Sequence, residues 1–223
     1  LFDTKNLKNK IRKNIIIIED CAHSFCGEYN NKVMGTFADF AVFSFYATKS
    51  ITCGEGGAII TNHKKYADII RSVSNNGMTK PAFKRFVNNR YIPWDVYNFG
   101  FKANLSDINA SILEDQVASY SKIANLKKKL FKKYKYNLSN IEKVSLPSEN
   151  KNKNRDYYLL PIGVDKKYRN KLIEYLLKNK IFVTVNFRSI SELHYYKKKY
   201  KNTKCPRSEK WGKETISLPF HVK

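Results

Sequence analysis

The sequence predicts an α/β fold, because short apolar runs of strand length alternate with longer stretches whose apolar residues recur at helical spacing. Three stretches carry this reading. "NIIIIED" places four β-branched residues, Ile15 to Ile18, before an acidic pair, the pattern of a strand buried on both faces. "FADFAVFSF" reads as a second buried strand and "GGAIIT" as a third that starts straight after a glycine cluster. In "NHKKYADIIRSVSNNG" the period turns helical through Tyr66, Ala67, Ile69, Ile70 and Val73, with Gly77 as the stop.

The opening "LFDTKNLKNKIRKN" reads as a helix that precedes the first strand, and it has no initiator methionine, so the chain is expected to be a fragment. A loop-like segment with Pro81, Pro93 and Trp94 follows the second helix. Then comes a long helical pattern, one helix or two in tandem, with Ser106 as its cap and an apolar stripe through Ile108, Ile112, Leu113, Val117, Tyr120, Ile123, Leu126, Leu130, Tyr134 and Leu138. The rest is more polar. It offers "YYLLPIGV" as a strand, "KKYRNKLIEYLLKNK" as an amphipathic helix and "IFVTVNF" as another strand, which make a smaller α/β unit. The expected domains are therefore 1–125 and 126–223.

Composition narrows the functions. With 223 residues, 42% of them hydrophobic, the chain has the material for a buried core. Its four cysteines, Cys21, Cys26, Cys53 and Cys205, follow neither a paired nor a zinc-ligand spacing, so idle thiols in a reducing compartment are expected, and no metal. No apolar run is long enough to span a bilayer, and no cleavable signal pattern opens the chain, so the expected location is cytoplasmic, without membrane insertion. The net charge is +23, from 42 basic against 19 acidic residues. Clusters such as "NLKKKLFKKYKYN" read as solvated faces, and since no zinc finger, RNA-recognition signature or arginine-rich arm accompanies them, nucleic acid is not the expected partner.

One lysine stands apart. In "FSFYATKSITCGEGG", Lys49 lies between a strand and glycines that let backbone approach a bulky group, and a desolvated lysine amine can form a Schiff base with an aldehyde. Taken alone, the stretch reads more readily as a tight turn beside a surface lysine. Asp20 ends a buried strand, where a carboxylate can pair with a protonated pyridine nitrogen and make the ring an electron sink. His23 follows three residues on, and Ser44, five residues before Lys49, can bind a phosphate oxygen. Together the four compose a pyridoxal-phosphate site.

The ordered run "IIIIEDCAHSFCGEYNNKVMGTFADFAVFSFYATKSITCGEGGAIITN" resembles the DegT/DnrJ/StrS family of nucleotide-sugar aminotransferases, which show an E-D-x-A-Q/H motif followed by S-F-x-x-x-K-x-x-x-x-G-E-G-G. Downstream, "NNGM", "FGFKANLSDINASILEDQ" and "ISLPF" are similar to further family segments. The resemblance implies a fold type I, aspartate aminotransferase-like architecture: part of a large domain with a mixed, mostly parallel sheet, followed by a small C-terminal α/β domain. It implies pyridoxal 5'-phosphate as cofactor and Lys49 as the catalytic, cofactor-bound lysine. Asp20 would hold the ring nitrogen, His23 would contact the ring and Ser44 would bind the phosphate. Asn104 would reach the phosphate of a neighbouring subunit, which implies a homodimer with shared sites. Glu55 is expected to shape the site, and Arg188 to meet the substrate's negative charge.

The implied reaction moves an amino group from glutamate to a nucleotide-linked keto-deoxy sugar, for cell-surface polysaccharide or lipopolysaccharide synthesis. Segments such as "VNFRSISELHYYKKKY" look most like enzymes acting on UDP-linked 4-keto sugars, although Asn186 and Ser191 stand where that subgroup usually has histidines. Asn76 and Ser111 depart from the family pattern too. Family members carry a phosphate-cradling helix N-terminus before the E-D motif, and this chain does not, so alone it is expected to bind the cofactor weakly. A dehydratase of the same fold would have histidine in place of Lys49. The alternative from another class is a truncated or degenerate member serving as a non-catalytic regulatory or interaction module.

Overall fold

The computed structural model describes residues 3–78, 85–148, 153–154, 156–201 and 203–222. Pro81, in the expected loop, lies outside them. Two compact units emerge, Leu1–Tyr120 with Asn152–Asp156, and Ser121–Lys151 with Tyr157–Lys223. The division falls inside a helix, a little before the expected 125/126 boundary, and the short segment ending at Asp156 belongs with the first unit.

The first unit opens with α1 (Thr4–Lys10), capped by Asp3, whose carboxylate accepts from the Asn6 amide at 3.0 Å. Its main sheet is built from β1 (Ile18–Asp20), then, after a short hairpin of β2 (Glu28–Tyr29) and β3 (Lys32–Val33), from β4 (Phe40–Ser44) and β5 (Gly57–Ile60). The order is β1-β4-β5, with β1 parallel to β4 and β5 antiparallel to it. The β2–β3 turn is Asn30-Asn31, both at positive φ, a conformation that asparagine tolerates better than most residues and that suits a tight hairpin. Helix α2 (Lys64–Val73) ends as predicted, with the Gly77 amide donating back to the Ser72 carbonyl. A second Asn-Asn turn, Asn88-Asn89, joins β6 (Phe86–Val87) to β7 (Arg90–Tyr91). Cys21, Met34 and Ala41 form a small core with Tyr29, Phe37 and Phe43.

The burial expected of "NIIIIED" is not what the structure shows. Only Ile18–Asp20 pair as strand, and Ile15, Ile16 and Ile18 are 49%, 54% and 62% exposed while Ile17 and Glu19 are buried. β-Branched residues favour extended backbone whether or not anything covers them, and β1 is an edge strand. Glu19, rather than Asp20, is the carboxylate taken inside, where the Thr4 hydroxyl and the Gly35 amide donate to it at 2.5 and 2.9 Å. Paired in this way, a buried carboxylate replaces most of the hydration it gives up.

The long pattern forms one helix, α3 (Asp107–Leu138), and the Ser106 hydroxyl accepts from the Asn109 amide as an N-cap should. Its C-terminal part belongs to the second unit, whose antiparallel sheet has the order β11-β10-β8, from β8 (Val144–Ser145), β10 (Leu160–Val164) and β11 (Thr215–Leu218). Between β8 and β10 lies β9 (Lys153–Asn154), which pairs instead with β2 in the first unit. Helix α4 (Lys166–Lys178) is capped by Asp165, and α5 (His194–Lys199) and α6 (Pro206–Glu214) follow. The "IFVTVNF" strand does not form: Thr184 alone pairs, with Ser217, and Phe182 is 77% exposed. The backbone turns at Lys180, at φ 60°, too close to Thr184 for a longer ladder to establish.

Phe131 anchors the second unit, fully buried against Tyr157 and Leu160, and Ile162, Val164 and Ile216 pack beside it in a second cluster with Leu172 and Val183. Truncating a fully buried phenylalanine removes its transfer energy and leaves a cavity, so Phe131→Ala should cost about 3–5 kcal/mol. Denaturant unfolding followed in the second unit checks this, with a lower midpoint at an unchanged slope as the expected result.

Candidate functional site

The sheet register brings the predicted residues to one edge. Because β1 and β4 run parallel with Asp20 opposite Val42, the C-terminal ends of both strands, Asp20 and Ser44, lie on the same side. Crevices at the C-terminal ends of parallel strands are where open α/β sheets bind ligands. The chain leaves β4 through Phe45 into the loop that carries Lys49 and returns at Gly57, which pairs with Ser44.

That loop is held by its own hydrogen bonds. The Lys49 amide donates to the Tyr46 carbonyl at 2.9 Å, and the Thr52 hydroxyl and the Cys53 amide both donate to the Phe45 carbonyl. Gln116 on α3 clasps the backbone of Thr52 at both ends, its carbonyl oxygen accepting from the Thr52 amide at 3.0 Å and its amide nitrogen donating to the Thr52 carbonyl at 2.6 Å. Glycine is required at two places here. Gly54 has φ 85°, and a Cβ on Gly56 would stand 2.7 Å from the Cys53 sulfur.

Lys49 is half-buried and lies close enough to His23 for its charge to act on the imidazole. Partial desolvation and then Lys49 lower the His23 pKa below its ordinary value, while Asp20 and Asp156 oppose them. Lys49, His23 and Asp20 therefore form one electrostatic cluster. The Asp20 carboxylate accepts from the Ala22 amide at 3.0 Å, which fixes the turn that presents His23. A cleft of about 420 Å³ opens along α1 and β1 and reaches Asp20, His23 and Ser24, while Lys49 and Ser44 lie outside its lining. The Ser24 hydroxyl is buried there without a hydrogen-bond partner. Ser44 is half-buried at the end of β4, 3.4 Å from the Tyr46 amide.

Other predicted residues stand apart from this cluster. Glu55 is exposed, and its backbone carbonyl is what the structure uses, accepting from Cys53 at 3.3 Å and from the Asn109 side chain at 3.3 Å. Asn104 is exposed ahead of the α3 cap. Arg188, in the second unit, is exposed at the rim of a cavity lined by Phe187, Leu193 and Trp211, next to a hydroxyl chain in which Ser208 donates to Ser189, and Ser191 to Glu209. Cys21 is no nucleophile, since burial, Glu19 and Asp20 push its thiol up to about 11.

Two residues near the site, Asp156 and Gln116, carry no recognisable motif. Asp156 accepts from the Phe25 amide, the Ser50 hydroxyl and the Tyr120 hydroxyl, at 3.1, 2.8 and 2.8 Å. Gln116 could have been flagged as a polar residue set between Leu113 and Tyr120, both buried on this helix. Asp156 offered only its position, an acid in a basic stretch just before a buried strand.

The chain is similar to known proteins over nearly its whole length. The model of the DegT/DnrJ/EryC1/StrS aminotransferase family matches residues 7–223. The chain is 33% identical over 216 residues to the uncharacterized protein MJ1066 of Methanocaldococcus jannaschii, covering 94% of this chain and 56% of that one. It is 28% identical over 214 residues to the spore coat polysaccharide biosynthesis protein SpsC of Bacillus subtilis, covering 93% and 55%. The chain thus spans about half the length of the curated relatives it matches. Among solved structures, Helicobacter pylori PseC, an aminotransferase involved in the biosynthesis of pseudoaminic acid, superposes with a TM-score of 0.87 at 23% identity, over 99% of this chain and 58% of its own. That likeness shares the fold, a type I transferase architecture. With its family model matched over nearly its whole length, the chain belongs to the DegT/DnrJ/EryC1/StrS aminotransferase family.

Proposed function

We propose that this chain is the Lys49-bearing part of an aminotransferase that moves an amino group from glutamate to a nucleotide-linked keto-deoxy sugar in the synthesis of a cell-surface polysaccharide. The observation that carries the reading is the cluster of Lys49, His23 and Asp20 at one sheet edge. Pyridoxal 5'-phosphate is the cofactor of this family. The donor set fits it: an amine for its aldehyde, a carboxylate for its ring nitrogen, and the Ser44 hydroxyl for its phosphate, at the ends of two paired strands. When bound, it supplies an electron sink for the carbanion formed at the amino-bearing carbon.

The roles of the chain's own residues follow from their chemistry. Lys49 binds the cofactor and, once released, moves the proton between carbon atoms as acid and base. Partial burial first, and Lys49 second, lower the His23 pKa, which favours a neutral imidazole that can meet a ring face or a hydroxyl without adding a second positive charge. Asp20 places a carboxylate at the strand end, the group that would pair with a protonated ring nitrogen. Asn104 and Glu55 stand outside this cluster, and the exposure of Asn104 suits a role across a homodimer interface. Arg188 offers a cation to the phosphates of a nucleotide-linked substrate. The similarity to SpsC, a spore coat polysaccharide biosynthesis protein, supports a sugar-derived acceptor in surface polymer chemistry.

With added pyridoxal phosphate, the full-length protein should show the visible band of a lysine-bound cofactor, and glutamate should bleach it. Lys49→Ala should abolish the band, and an unchanged spectrum in that variant overturns the assignment. A second measurement is independent of activity. In cofactor-free protein, histidine NMR should place the His23 midpoint below that of an ordinary histidine, and Lys49→Ala should move it upward. Because this folded-state pKa is lowered, His23 favours folding while neutral. That contribution is present above the ordinary histidine pKa and is lost as pH falls through the lowered value.

A further inference from the structure

We propose that Asp156 is a positioning residue for the candidate site, its carboxylate fastening the turn that carries His23 to the loop that carries Lys49. This rests on the functional reading above for its purpose, though not for its geometry. Phe25 lies two residues beyond His23, and its amide donates to Asp156 Oδ2 at 3.1 Å. Ser50 is next to Lys49, and its hydroxyl donates to the same oxygen at 2.8 Å. The two donors are 131 and 106 residues away in sequence, so one atom joins the turn after β1 to the loop after β4, beyond the point where the ladder between those strands ends. The other oxygen, Oδ1, lies 2.8 Å from the Tyr120 hydroxyl, which is also 2.7 Å from the Phe25 carbonyl. Tyr120 is buried in α3, so the carboxylate is referenced to the same helix whose Gln116 clasps Thr52.

The arrangement has the marks of an interaction in which charge matters. Its partners are two hydroxyls and a backbone amide, and bonds from such donors to a charged carboxylate are about twice as strong as neutral ones. Asp156 also acts on His23 directly. The groups that bear on the imidazole are Lys49 on one side and Asp20 and Asp156 on the other, so removing Asp156 leaves Lys49 opposed by Asp20 alone. The Phe25 ring is pinned as well, edge-on to Tyr120 with centroids 4.8 Å apart and edge-on to Phe43 and Phe45 of the β4 segment. The His23 turn thus has an apolar contact with the sheet and a polar one with Asp156.

The test uses the full-length protein without cofactor, in wild-type form and as Asp156→Asn and Ser50→Ala. Asp156→Asn keeps the shape and removes the charge. Loss of charge-assisted bonds should speed amide hydrogen exchange about tenfold or more in both the His23–Phe25 turn and the Lys49–Thr52 loop, with β10 and β11 unchanged. It should also shift the His23 midpoint further down. Ser50→Ala should speed exchange in the Lys49 loop and leave the His23 turn near wild type. Unchanged exchange at both segments in Asp156→Asn, or an equal rise across the whole chain, overturns the proposal. Should Asp156→Asn fail to fold, an unchanged Lys49 loop in Ser50→Ala overturns it by itself. If the wild-type protein shows no cofactor band while these exchange changes occur, the aminotransferase reading fails and the fastening role stands.

Discussion

The parallel pairing of β1 with β4, with Asp20 opposite Val42, is the constraint on which the candidate site depends. Side chains alternate across a strand with a period of two, so a slip of one residue would turn Asp20 to the opposite face and carry His23 away from the end of β4. Two buried features hold the register. Ala41 in β4 is fully buried against Cys21 and Met34, and Glu19 is locked by Thr4 and Gly35. The carboxylate inside the sheet therefore determines where the carboxylate at its end points. With β5 returning antiparallel from Gly57, the loop between β4 and β5 is obliged to start and finish at the same edge.

A loop positioned only at its ends would still be free between them, and here side chains from elsewhere supply the missing restraints. Gln116 holds Thr52, Asp156 holds Ser50, and the Thr52 hydroxyl closes back on Phe45. Each is a side chain satisfying a backbone or hydroxyl group that a regular ladder would otherwise have paired. Tyr120 and Gln116 come from one face of one helix, four residues apart, so two of the restraints share a rigid support. The consequence for chemistry is placement: a lysine amine on an unsupported loop would sample many positions, and proximity contributes to rate only when the reacting atoms are held.

Much of this was legible in the sequence, and the parts that were not share a cause. Period and capping placed β4, β5, α2, α3, β10 and α4, down to Ser106 as the α3 cap, because those signals are local. The ordered E-D and S-F-x-x-x-K motifs pointed to Asp20, His23, Ser44 and Lys49, and the structure brings three of these into one electrostatic cluster. Exposure of Ile15, Ile16 and Ile18 was not legible, since a β-branched run reports backbone preference and burial depends on what lies against the strand. The strand expected over "IFVTVNF" shrank to the single residue Thr184, because pairing requires a partner in register and the turn at Lys180 leaves room for little more. Asp156 was invisible for a related reason. Its partners Phe25 and Ser50 lie over a hundred residues away, and nothing in "RDYYLL" says that a carboxylate will fold back onto a serine and an amide.

Charge alone could never have singled out Lys49 in a chain with 42 basic residues. What separates it from the lysines of α4 and α5 is the sign of its surroundings. Those helices present lysines to solvent, where water and salt screen them and a nearby acid changes little. Lys49 is half-buried, within electrostatic reach of an imidazole on which two carboxylates also act. With only 19 acidic residues in the chain, the gathering of Glu19, Asp20 and Asp156 around one sheet edge is a local reversal of a strongly positive molecule. A cationic ring nitrogen and a reactive amine need such a place: enough negative charge to hold the first, and enough cover to keep the second from being one more solvated ammonium.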